Sequence, residues 1–103
     1  MKVLVIDNEP NLRTAIKALL QAFCPEIKTI EEADGVKSGL QKIKAFQPDI
    51  VLLDVEMDDG SGFDLMKQVV NPGFQLIFVT AHNKYAIEAF QFSAIDYLLK
   101  PVD

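Results

Sequence analysis

Apolar residues in this chain come in short runs separated by polar turns, and the runs are of two kinds. Lys2 to Ile6 (KVLVI), Ile50 to Leu53 (IVLL) and Leu76 to Val79 (LIFV) are almost wholly apolar and rich in β-branched side chains. That is the pattern of strands buried on both faces. Leu12, Ile16, Leu19, Leu20 and Phe23 instead recur at helical spacing, with Pro10 tolerated in a first turn. Val36, Leu40, Ile43 and Phe46 repeat that stripe and stop before Pro48. Ile27 to Ile30 (IKTI) predicts a weaker, half-polar strand suited to a sheet edge. Asp58 to Gly62 (DDGSG) predicts a loop, and Ser61 with Asp64 a capping box opening a helix through Leu65, Met66 and Val69. Asn71 to Gly73 is a turn signal, Lys84 to Phe90 a short helix, and Ala94 to Leu99 (AIDYLL) a fifth strand.

Strands alternating with helices predict a parallel sheet covered on both faces. Ligands of such sheets gather beyond the carboxyl ends of the strands, where the strand order reverses. At those ends the sequence puts Asp7, Asn8 and Glu9, then Asp54, then Thr80, then Lys100. A carboxylate directly after the run DIVLL would be costly inside a core. At the mouth of a shared cleft it has a use.

Composition narrows the classes. The 103 residues suffice for one domain, and 50% apolar with 24% charged residues suits a globular core. The apolar runs are far too short to span a bilayer, and MKVLVIDNEP lacks the features of a secretory signal. A lone cysteine, Cys24, makes no internal disulfide and suits a reducing cytoplasm. A net charge of −5 argues against nucleic-acid binding by this segment.

Two carboxylates about 5 Å apart repel by roughly 3 kcal/mol at an effective dielectric near 20. Asp7 and Asp54 would therefore call for a cation or a shared proton. Magnesium suits oxygen ligands of this kind, and would leave Asp54 an oxygen free to attack phosphorus. Lys100 and Thr80 would then act on the charge that develops during transfer. Each residue also has a plainer role: Thr80 as a helix cap, Lys100 as a surface lysine, Tyr97 as packing, His82 as an exposed loop residue.

VLVIDNEP, DIVLLDVEM, GSGFDL, FVTAH and AIDYLLKPVD, in that order, resemble the motifs of the receiver domain of two-component response regulators. The resemblance covers essentially the whole chain. YAIEAFQFSAIDYLLKPVD is most similar to receivers of the LytTR (LytR/AlgR) class, which usually precede a DNA-binding effector. The resemblance implies a flavodoxin-like (βα)5 doubly wound parallel sheet, strand order 2-1-3-4-5. Residues 1–103 would form the receiver, with the last helix missing from this chain. It implies Asp54 as phosphoacceptor from a histidine kinase, and Mg2+ held by Asp7, Asn8, Asp54 and the backbone carbonyl of Glu56. Thr80 and Tyr97 would be the switch pair and Lys100 the phosphate-contacting lysine, ahead of a cis Lys100–Pro101 bond. It further implies a cytoplasmic signalling domain with no enzymatic role beyond its own phosphorylation and dephosphorylation, a C-terminal DNA-binding effector controlling transcription, and possible homodimers.

Three departures from the family pattern stand out. Asn8 replaces the usual second acid, which predicts weaker metal affinity. The loop after Met57 reads DDG where a proline is common, which adds Asp58 and Asp59 near the site and would make it more negative or bias kinase choice. The chain stops at Asp103, before the fifth helix, so one sheet face should be partly uncovered. Other classes remain open. A phosphorylation-independent pseudo-receiver fits Asn8. A phosphohydrolase would want a second aspartate where Glu56 stands, and a flavin-binding domain would want a phosphate-cradling loop where DNEPN is acidic.

Overall fold

A computed structural model describes residues 1–70 and 72–81 and, for Asp96–Leu99, the backbone. The chain runs β1 (Lys2–Ile6), α1 (Pro10–Phe23), β2 (Thr29–Ala33), α2 (Val36–Phe46) and β3 (Ile50–Leu53). A small hairpin of β4 (Glu56–Met57) and β5 (Gly60–Ser61) follows, then α3 (Gly62–Lys67), β6 (Gln75–Thr80) and β7 (Asp96–Leu99). The main sheet has the order β2-β1-β3-β6-β7 and all its pairings are parallel. Setting the hairpin aside, this is the 2-1-3-4-5 order.

Alternation along the strands divides the core. Leu4, Ile6, Val51, Leu53, Leu76 and Phe78 face α2 and α3, where they meet Val36, Phe63, Leu65 and Met66. Val3 and Val5 face the other way, against Ile16, Leu12 and Leu20 of α1. Successive strand side chains point to opposite faces, so a doubly covered strand must be apolar at every position. The α1 face is the thinner of the two, with Ile50, Leu52 and Ile77 only half-buried.

Local chemistry sets the helix ends. Pro10 occupies the first turn of α1, where its missing N–H is not needed. Ser61 caps α3 by accepting the Asp64 amide at 3.0 Å, while Asp64 accepts the Ser61 amide at 3.0 Å, the capping box that the sequence predicts. Gln47, at φ 51, closes α2 in the left-handed region just before Pro48.

Three expectations need correction. The second strand is Thr29–Ala33, not Ile27–Ile30. Its glutamates are tolerated because Lys42 pairs with Glu31 at 2.6 Å while Arg13 and Lys17 pair with Glu32 at 2.9 and 3.0 Å. Phe23 is 77% exposed and is not part of the buried stripe of α1. DDGSG is not all loop: Asp58 and Asp59 form the tip of the β4–β5 hairpin. The helix expected over Lys84 to Phe90 and His82 lie outside the described residues.

Candidate functional site

The strand order reverses around β1 and β3, and their carboxyl ends carry the two buried acids. Asp7 is 2% exposed and Asp54 4%. The β1–β3 register pairs Ile6 with Leu53, so the acids follow one another across the sheet, with backbones about 4.8 Å apart. Both are held by continuation of the ladder. The Asp7 amide donates to the Ala33 carbonyl at 3.0 Å, and the Asp54 amide to the Ile6 carbonyl at 3.0 Å. Thr80, 1% exposed, ends β6 on the far side of Asp54. Three residues singled out at separate strand ends thus share one edge of the sheet.

The surroundings of Asp7 are ordered. Its carboxylate accepts the Glu9 amide at 2.9 Å, and its carbonyl accepts from Arg13 Nη1 at 2.5 Å. Asn8 is half-buried beside it and donates from Nδ2 to Asp58 Oδ1 at 3.3 Å. Glu56 is exposed and opens the hairpin after Val55. Leu99 pairs with Thr80 at the end of β7, and Tyr97 pairs with Phe78 along the backbone. The Tyr97 side chain, Lys100 and the Lys100–Pro101 bond lie outside the described residues.

The Asp59 carboxylate is engaged at the start of α2. It accepts the Val36 amide at 2.7 Å and the Lys37 amide at 3.1 Å. These bonds, that of Val36 first, hold its pKa below the ordinary carboxylate value. The formal N-cap, Gly35, has no side chain to offer, so a residue from the hairpin caps α2. No sequence signal marks this, because the two segments are remote along the chain. Arg13 was missed for the same reason.

Gly62 matters to the loop geometry. A Cβ on it would run into the Asp54 carbonyl oxygen and lie 3.0 Å from Leu53 Cγ. Its own amide donates to the Val55 carbonyl at 2.8 Å. The first turn of α3 therefore packs against the backbone that carries Asp54.

Among the described residues no group of three or more His, Cys, Asp or Glu side chains is placed to hold a metal. The donors at the strand ends are instead two buried carboxylates, one amide oxygen and backbone carbonyls. That set fits a hard cation that keeps part of its water. It offers none of the imidazole or thiolate ligands that dominate most zinc sites.

Comparison with known proteins agrees with this architecture. Residues 3–103 match the family model described as response regulator receiver domain. Sensory transduction protein LytT of Bacillus cereus is 41% identical over 106 residues, covering 100% of this chain and 42% of that protein. Sensory transduction protein LytR of Staphylococcus epidermidis is 37% identical, covering 100% and 41%. The chain thus spans less than half the length of these relatives. Among solved structures, response regulator protein TrrA of Thermotoga maritima, in complex with Mg2+ and BeF, superposes with a TM-score of 0.83 at 29% identity. That match covers 99% of this chain and 88% of the other.

Proposed function

The chain belongs to the response regulator receiver domain family of two-component signal transduction, and we propose that within it Asp54 accepts a phosphoryl group from a histidine kinase. The observation that carries this reading is the pair of buried acids, Asp7 and Asp54, side by side where the strand order reverses.

A carboxylate oxygen of Asp54 forms the new bond to phosphorus as the bond from phosphorus to the donor imidazole nitrogen breaks. Asp7, Asn8, Asp54 and the Glu56 carbonyl would hold Mg2+, which when bound offsets the anionic charge gathered there. The Mg2+ and BeF bound by the Thermotoga relative support the same ligand class here. Thr80 supplies a hydroxyl beside the acyl phosphate, and Lys100 an ammonium for its oxygens. Phosphorylation then biases two packed states, with Thr80 and Tyr97 as the pair that moves. The domain's chemistry is confined to its own phosphorylation and dephosphorylation.

The output is a DNA-binding domain C-terminal to this segment, of the LytTR class, and the setting is the cytoplasm. Likeness to LytT and LytR over less than half of their length supports this part. No helix among the described residues is long and apolar enough to cross a membrane.

The test is incubation with a small acyl phosphate and Mg2+, read by intact mass. Wild type gains one phosphoryl group and Asp54→Ala gains none. An unlabelled wild type, under conditions that label another receiver, overturns the proposal and favours a phosphate-independent interaction module, the alternative that Asn8 motivates.

A further inference from the structure

We infer that Asp58 is a positioning residue for Asn8, setting which atom of that amide faces the cation; the inference rests on the metal-site reading above. Asn8 Nδ2 lies 3.3 Å from Asp58 Oδ1. An ionised carboxylate only accepts hydrogen bonds, so the amide must offer it the NH2 group. The amide carbonyl oxygen then points the other way. It is the only side-chain atom of Asn8 able to ligate a hard cation, since a turned amide would present N–H donors instead.

The partner is itself well placed. Asp58 shares the hairpin tip with Asp59, whose two bonds to the start of α2 anchor that tip. Asp58, although exposed, is thus carried on a backbone tethered one residue away. The charge absent from Asn8 is returned one hydrogen bond away, and that bond polarises the amide toward its oxygen. The amide at position 8 and the acid at position 58 meet in one contact. Each makes the other workable.

A charge near the site would attract Mg2+ whether or not it oriented Asn8, so a double-mutant cycle is needed. Mg2+ affinity is measured by titration calorimetry, without phosphodonor, for wild type, Asp58→Ala, Asn8→Asp and the double variant. Urea midpoints taken without metal confirm that all four fold. Asp58→Ala should weaken Mg2+ binding by about threefold to tenfold in wild type, the worth of one ordinary hydrogen bond. In the Asn8→Asp background the same change should cost less than about twofold, because a carboxylate has two equivalent oxygens and nothing to orient. Equal losses in both backgrounds would reduce Asp58 to a through-space charge, and no loss in wild type would remove its role; either overturns the inference while leaving the metal site standing. A wild type that takes up no Mg2+ overturns the metal-site reading itself.

Discussion

Asp59 caps a helix that begins 23 residues earlier, taking the amide of Val36 at 2.7 Å. Helix starts leave several N–H groups without intrahelical partners, and an anion there also meets the positive end of the helix dipole. Asp59→Ala should therefore lower stability by about 1 kcal/mol near neutral pH. The pKa of Asp59 is lowered in the folded protein. Its contribution is thus complete above the ordinary carboxylate value of the unfolded chain and fades as pH falls through the lower folded value. Urea midpoints of the two proteins should differ at pH 7 and converge at strongly acid pH. A gap that persists unchanged would mean the ionised cap is not its source.

Gly62→Ala tests the contact between α3 and the Asp54 backbone. The added methyl group would meet the Asp54 carbonyl oxygen, a backbone atom that cannot swing aside. Overpacking of this kind costs about 1–3 kcal/mol. The loop would shift, so the acyl phosphate labelling proposed for Asp54 should slow even in the fraction that remains folded. Normal labelling kinetics together with normal stability would refute this close approach.

Arg13 and Lys17 both pair with Glu32, yet they should not be equivalent. Lys17 makes a half-exposed ion pair at 3.0 Å, which is worth about 0–1 kcal/mol and is screened by salt. Arg13 also donates to the Asp7 carbonyl. Arg13→Ala should cost about 1 kcal/mol more than Lys17→Ala, and the excess should survive at high salt. Urea melts at low and high ionic strength decide it.

Leu65 is fully buried between α3 and the sheet. Leu65→Ala should lose about 2–5 kcal/mol, measured by urea unfolding. A loss below about 1 kcal/mol, typical of a surface position, would contradict this packing.

The central strands were legible because β1 is buried on both faces, and β3 and β6 are buried on one face and at least partly covered on the other; two-sided coverage writes itself as a continuous apolar run. The second strand was misplaced because an edge strand can carry Glu31 and Glu32, provided basic side chains from the helices meet them. Periodicity cannot see those partners. Phe23 shows the reverse error: a hydrophobic residue in register with a stripe, but beyond the end of the surface that α1 covers.

The site divides in the same way. By itself the sequence determined that Asp7, Asp54 and Thr80 stand at strand ends, because position relative to an apolar run is a local property. Only the tertiary structure decided that Asp7 and Asp54 are neighbours, that Arg13 holds the Asp7 carbonyl, and that Asp59 serves α2 while Asp58 meets Asn8. Those relations depend on strand order and on which loop tips approach each other. Chain crossings fix them, and no local pattern of residues records where a crossing lands.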